Sequence, residues 1–309
     1  MPPPLAEEPV VGVVGAGLMG RGIAAVLARQ AAEVRLFDTD AVVLADAVDH
    51  LSSQGLPVRA ARSLTEVVQG AAFVTEAIAE NLALKQSVFA ELDAADPHVV
   101  LATNTSVLPV TRIAEHTKNP GRVVGTHWWN PPDLVPVVEV VRGTHTDDTV
   151  MADTVARLTA LGKLPVRVEK DVPGFVGNRL QHALWREAIA LVADGICDAR
   201  TVDLVVRNTI GLRLAEMGPL QNADYVGLDL TLAIHDAVLP ALNRDPGPSA
   251  LLKDLVTAGR LGAKSRRGFF DWDPGERETV AARLAAHVRT QLPPPTWDNT
   301  GPAHERESA

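Results

Sequence analysis

The chain has 309 residues, 46% of them apolar and 22% charged, with a net charge of −9. The composition is that of an ordinary globular protein, and the length exceeds what one core usually spans, so two domains are expected. The acidic balance argues against nucleic acid or an anionic membrane as the main partner. The single cysteine, Cys197, excludes an intrachain disulfide and a cysteine-based metal cluster.

The lead MPPPLAEEP (1–9) is proline-rich and acidic, has neither the basic nor the apolar region of a signal peptide, and reads as disordered. No stretch approaches the roughly 18 apolar residues of a membrane span, so no membrane contact is expected and a cytoplasmic location is the default. VVGVVGAGLMGRGIAAVLARQ then reads as a buried strand (10–14), a glycine turn and a helix. AEVRLFD (32–38), AAFVTEAI (71–78) and HVVLATN (98–104) read as further strands, the last two separated by the helical NLALKQSVFAELDAA. RVVGTHW (122–128), VPVVEVV (135–141) and LPVRVEK (164–170) follow, with a helix over 149–162 before the last. Strands alternating with helices predict a doubly wound, mostly parallel sheet with helices on both faces. KDVPG (170–174) marks the change of pattern. Beyond it FVGNRLQHALWREAIALVADG, DARTVDLVVRNT, LDLTLAIHDAVLPAL and PSALLKDLVTAG read as helices, which predicts an all-α second domain. The expected organisation is a lead at 1–9, an α/β domain over 10–172, a helical domain over 173–272, and a C-terminal helix and tail over 273–309.

GAGLMG supplies Gly15, Gly17 and Gly20 between a strand and a helix, and Asp38 ends the next strand 18 residues after Gly20. That order is the dinucleotide fingerprint of a Rossmann-type domain. Gly15 permits the tight turn, Gly17 lets a pyrophosphate approach the backbone, and Gly20 lets helix and strand pack closely. The helix start at Leu18 and Met19 offers N–H groups to the anion. Asp38 would accept from the adenosine ribose hydroxyls and repel a 2′-phosphate, and Arg35 falls on the opposite strand face, so NAD is expected rather than NADP.

A nicotinamide cofactor implies hydride transfer, which needs a base for the hydroxyl proton. His127, in VVGTHWWNPP, sits where a strand ends, the usual ligand edge of such a sheet. Glu139 lies among valines in VPVVEVV, where a carboxylate is costly unless paired. If their strands are neighbours, Glu139 fixes the imidazole tautomer and supports the proton it takes up. The alternative is an exposed Glu139 on a sheet edge and a His127 that merely ends a strand. Trp128 is expected in the core and Trp129 on the pocket side. No metal site is expected.

VGVVGAGLMGRGIA, EAIAEN, NTS, GTHWWNPP, VVEVV, KDVPGFVGNR and GPLQNADYVGLD occur in this order and spacing. Together they resemble the L-3-hydroxyacyl-CoA dehydrogenase family, over residues 10 to about 272. That family includes free-acid relatives such as gulonate dehydrogenase, of the lambda-crystallin branch, and a pyridine-carboxylate dehydrogenase of vitamin B6 breakdown. The resemblance implies His127 as catalytic base with Glu139 as its partner, Ser106 bonding the reacting oxygen, and Asn178 stabilising it. It also implies Asn130 beside the nicotinamide, Glu80 and Lys85 on the ribose and amide parts of NAD, and Lys264 reaching the cofactor from the second domain. A homodimer through the helical domain is implied as well. Ser106 and Asn178 could instead cap helices, Glu80 and Lys85 could be solvated, and Lys264 could belong to a basic surface loop.

The sequence departs from the acyl-CoA members between Asp38 and Glu80. A long helical hairpin with lysines that meet the CoA phosphates is shortened here, and residues 39–84 contain no lysine, only Arg59 and Arg62. CoA docking needs cations. The expected reaction is therefore interconversion of a 3-hydroxy and a 3-keto group on a small 3-hydroxy acid, with Arg179 and Arg213 as candidate carboxylate partners. A short-chain L-3-hydroxyacyl-CoA substrate is the alternative, and a non-catalytic, crystallin-like or sensor protein that binds NAD is the alternative from another class.

Overall fold

The computed structural model describes residues 10–291; the expected lead at 1–9 and the tail beyond 291 lie outside them. The chain divides into two compact units, and the division falls between Asn178 and Arg179.

The first unit is built on eight strands: β1 (Val10–Val14), β2 (Glu33–Phe37), β3 (Val58–Ala60), β4 (Phe73–Glu76), β5 (Val100–Thr103), β6 (Val123–Trp128), β7 (Val137–Val141) and β8 (Leu164–Val168). They form one sheet in the order β3-β2-β1-β4-β5-β6-β7-β8. The pairs are parallel except β6 with β7, which run antiparallel. The order reverses direction between β1 and β4, the place where doubly wound sheets open a crevice for a ligand.

Both faces are covered. Helices α1 (Leu18–Leu27), α2 (Ala41–Ser53) and α6 (Asp148–Ala160) bury Ile23, Leu51, Met151 and Leu158 on one face, with Leu36, Trp128 and Val138. Helices α3 (Leu64–Val68), α4 (Leu82–Ala95) and α5 (Val110–Ile113) bury Val67, Phe89, Leu92 and Ile113 on the other, with Val74, Leu101 and Val141. Burial of both faces explains the near-continuous valine runs of the central strands. Among the strands and α-helices of the first unit, α2, β3, α3 and α5 escaped the sequence pattern. β3 is a three-residue edge strand and α3 a single turn and a half, too short for a period to register. Between Asp38 and Glu80, where the acyl-CoA relatives' hairpin was expected to be shortened, the chain forms α2, β3, α3 and β4.

The second unit is helical: α7 (Gly177–Ala193), which begins in the first unit, then α8 (Ala199–Asn208), α9 (Ile210–Leu214), α10 (Pro219–Val226), α11 (Leu228–Val238), α12 (Ala250–Thr257) and α13 (Glu276–Gln291). Of its hydrophobic residues among those described, only Ala190, Val202 and Leu255 are buried, while Leu220, Tyr225, Leu228 and Leu232 are more than half exposed.

The glycine turn has little tolerance for added atoms. A Cβ on Gly20 would stand 1.8 Å from the Gly15 carbonyl oxygen, which is backbone and cannot swing aside. Gly20→Ala is expected to destabilise the first unit by about 1–3 kcal/mol or more, the range for overpacking, as read by urea unfolding; wild-type stability would show that α1 can move away from β1.

Candidate active site

Helix α1 opens directly after β1, with Gly17 as its N-cap residue; no side chain caps it and no acid lies in its first turn. The leading N–H groups, at Leu18, Met19 and Gly20, therefore have no side-chain acceptor, and the helix dipole favours an anion there. Gly15 has φ of +102°, and a Cβ on it would meet the Ala77 carbonyl oxygen at 2.6 Å. A Cβ on Gly17 would meet nothing within 4 Å, so this glycine keeps the backbone approachable. Asp38 accepts from the Ala16 N–H at 2.7 Å through Oδ2 and from the Asp40 N–H at 2.9 Å through Oδ1. Each oxygen retains a lone pair for a ribose hydroxyl. Arg35 is held away, donating to Glu33 at 2.7 Å and to the Glu66 and Gln69 carbonyls. The turn, the uncapped helix and the fixed acid fit NAD.

Beside the turn lies a buried ionic network. Glu76 ends β4 with no exposure; its Oε1 accepts from Lys85 Nζ at 2.6 Å and the Ile78 N–H at 2.7 Å, its Oε2 from Thr103 Oγ1 at 2.8 Å. Lys85 Nζ also lies 3.3 Å from Glu80 Oε2. Lys85, expected at the cofactor, is wholly buried: a carboxylate at the buried end of β4 needs a counter-ion, and Lys85 supplies it. Glu80 faces the other way. Its Oε1 accepts from Thr105 Oγ1 at 2.6 Å and from the N–H groups of Ser106 and Val107 at 2.9 and 3.0 Å. Burial raises the Glu80 carboxyl, but the bonds from Thr105 and Val107, the Lys85 charge and the Ser106 bond outweigh it, and its pKa lies below the usual value. Glu80 thereby fixes the turn that carries Ser106.

His127 and Glu139 stand opposite each other across the antiparallel pair β6–β7. His127 Nδ1 and Glu139 Oε2 are 2.6 Å apart, and the residues are 4% and 2% exposed. Glu139 Oε1 accepts from the N–H groups of Val176 at 2.9 Å and Gly177 at 3.1 Å, which are the leading amides of α7. Those amides are presented by a tight turn in which Gly174 and Phe175 have φ of +78° and +47°. Phe175 is buried, and its ring centre lies 5.8 Å from that of His127. Burial raises the Glu139 carboxyl, but the hydrogen bond from His127 and those from Gly177 and Val176 bring it below its ordinary value. An ionised Glu139 holds the proton on Nδ1 and leaves Nε2 as the basic nitrogen.

The other expected residues are distributed around this pair. Asn178 Nδ2 donates to the Ser106 carbonyl at 3.1 Å, so these two are brought together, and α5 carries no side-chain cap at its N-terminus. Trp129 stacks at a tilt on His127, ring centres 4.9 Å apart, and fills the space a Cβ on Gly177 would need. Asn130 is exposed and lines a cavity of about 240 Å³ with Leu18, Pro131 and Pro132. Trp128 is buried among the α1 and α6 side chains. Lys264 is exposed in the second unit, on the short turn Ala263–Ser265. Sequence reasoning missed Asn104, whose Oδ1 accepts from the Trp128 N–H at 2.9 Å and so fixes the end of β6. It also missed the roles of Phe175 and Gly177, which only the turn geometry reveals.

Residues 10–57 and 56–172 match the NAD-binding domain of 3-hydroxyacyl-CoA dehydrogenase, and residues 174–272 match its C-terminal domain. The chain belongs to the 3-hydroxyacyl-CoA dehydrogenase family. It is an NAD-dependent dehydrogenase acting on a hydroxyl group. It is 39% identical to 3-hydroxybutyryl-CoA dehydrogenase of Mycobacterium tuberculosis (strain ATCC 25618 / H37Rv), over 85% of this chain and 98% of that protein. It is 40% identical to L-carnitine dehydrogenase of Streptomyces griseus, over 87% of each. The solved structure of 5-formyl-3-hydroxy-2-methylpyridine 4-carboxylic acid 5-dehydrogenase, an NAD+-dependent dismutase, superposes with a TM-score of 0.85 at 32% identity, covering 91% of this chain and 96% of that one.

Two outcomes follow from the buried charges. Lys85→Met leaves Glu76 uncompensated and is expected to cost about 3–5 kcal/mol in urea unfolding, as for a broken buried pair. Because the folded pKa of Glu139 is lowered, its contribution to stability is present above the unfolded value of 4.5 and is lost as pH falls through the lower folded value. Glu139→Gln should remove that loss, so its unfolding free energy should fall less steeply than wild type below that pH. Parallel acid limbs for the two proteins would contradict the lowered pKa.

Proposed function

We propose that the enzyme interconverts the 3-hydroxy and 3-keto forms of a small carboxylic acid, with His127 moving the hydroxyl proton. The observation that carries this reading is the His127–Glu139 bond of 2.6 Å between two buried side chains. With Nδ1 fixed, Nε2 is the nitrogen that accepts the proton in oxidation and returns it in reduction. Glu139 stabilises the imidazolium so formed, and the α7 amides keep Glu139 from taking the proton itself. Bound NAD supplies the hydride acceptor. Ser106 and Asn178 orient the reacting oxygen, and Glu80, through the Ser106 turn, holds that pair in register with the cofactor. Asn130 approaches the nicotinamide side, and Asp38 holds the ribose.

A free acid is favoured over a CoA thioester by the stretch between Asp38 and Glu80. Its two cations are few, and Arg59 is already paired with Glu66 at 2.6 Å and Glu33 at 3.1 Å. The carnitine and pyridine-carboxylate relatives act on free acids by name. The 3-hydroxybutyryl-CoA relative keeps a short-chain acyl-CoA as the second reading. The exposed apolar residues of the second unit support a homodimer that covers them.

His127→Gln is expected to retain NAD binding by thermal shift and to lose roughly 10²–10⁴-fold in kcat/KM, the scale of a general base. Turnover close to wild type would remove His127 from this role. A panel of L-carnitine, 3-hydroxybutyrate and 3-hydroxybutyryl-CoA should show the largest kcat/KM with a free acid; the opposite ranking would transfer the assignment to the acyl-CoA reading.

A further inference from the structure

After Trp129 the chain leaves β6 and returns to β7 through Asn130-Pro131-Pro132-Asp133-Leu134-Val135-Pro136. Three prolines and an aspartate in seven residues make a poor regular hairpin, and the three prolines carry no N–H, so the loop's own hydrogen bonds are few. Its internal bonds run from the N–H groups of Leu134 and Val135 to the Pro131 carbonyl. The carbonyls of Pro132 and Val135 point the other way, and both accept from one side chain. Lys163 Nζ donates to Pro132 at 2.5 Å and to Val135 at 3.0 Å, and lies 5.5 Å from the Trp128 ring centre.

We propose that Lys163 is a positioning residue: by bridging the Pro132 and Val135 carbonyls it fixes the loop that carries Trp129 and Asn130 against the glycine-turn helix. It rests on the reading of His127 and Asn130 as parts of the reaction centre. Three observations converge on it. Lys163 lies between α6 and β8, in the framework of the sheet, and its own N–H donates to Leu158. The loop's far side bears on α1: a Cβ on Gly22 would stand 3.0 Å from the Pro132 ring. Asn130, Pro131 and Pro132 share one cavity with Leu18, the first residue of α1. The loop is thus pinned between the sheet framework and the helix that receives the cofactor, and Lys163 is the polar half of that pin.

Lys163 is part-buried; burial and the neighbouring Arg29 lower its pKa to about 8, with Asp133 opposing. A neutral amine still carries two N–H groups, one for each carbonyl, so the bridge outlasts the charge. Losing the side chain altogether leaves both carbonyls without that donor.

The test compares Lys163→Met and Lys163→Arg with wild type in the full-length enzyme. For Lys163→Met, KM for NAD should rise roughly fivefold or more while kcat changes by less than about twofold, the signature of lost binding rather than lost chemistry. Tryptophan emission should shift, because the Trp128 ring lies against the bridge, and Lys163→Arg should recover part of both. A Lys163→Met protein that melts normally with wild-type KM and emission overturns the proposal. If that variant does not fold, Gly22→Ala presses on the loop from its other support and should raise KM for NAD in the same way; an unchanged KM overturns the proposal there too. Emission is read without turnover. A His127→Gln protein that stayed active would therefore sink the reading of the reaction centre while leaving the Lys163 result to stand or fall separately.

Discussion

One buried carboxylate holds the site together. Glu139 would be costly in the middle of a valine strand, and three donors offset that cost: the His127 ring on one oxygen, and the Val176 and Gly177 amides on the other. The same contacts join β6, β7 and, almost forty residues further on, the start of α7. The anion at a helix start is also favoured by the helix dipole. Stabilising the acid, orienting the imidazole and anchoring α7 are therefore one interaction with three consequences.

The sheet brings the glycine turn and the His127–Glu139 pair to one edge. Its parallel part, β3-β2-β1-β4-β5-β6, presents the glycine turn at the end of β1 and the Glu80-held Ser106 turn at the end of β5, on either side of β4. The reversal at β7 then sets Glu139 directly opposite His127, which a further parallel strand returning by a crossover would have had to reach from another register. The buried Glu76–Lys85 pair secures the end of β4 between these regions. Removing both charges for a matched apolar pair can be neutral, so such a pair is better understood as fixing geometry than as adding stability.

Much of this was legible in the residues. The glycine spacing, Asp38 and the strand-helix alternation carried the first unit's fold and its cofactor because each has a local signature. His127 and Glu139 were legible because an imidazole at a strand end and an acid among valines are both anomalous. The burial of Lys85 was not legible because sequence separation says nothing about which side of α4 a long side chain takes; Glu76, nine residues earlier, pairs with it there. Asn104, Phe175 and Gly177 were silent for a related reason. Their importance lies in a backbone acceptor, a positive φ and the bulk of Trp129, none of which leaves a mark on composition or period.

The alternation of β7 carries an evolutionary consequence. Val138 and Val140 point into one core while Glu139 points to the histidine side. Deleting a single codon within this strand would invert the arrangement, sending a valine to the imidazole and the acid into hydrocarbon. Length changes in the preceding proline-rich connection leave that parity intact. Indels among descendants of this gene should therefore be purged from the strand.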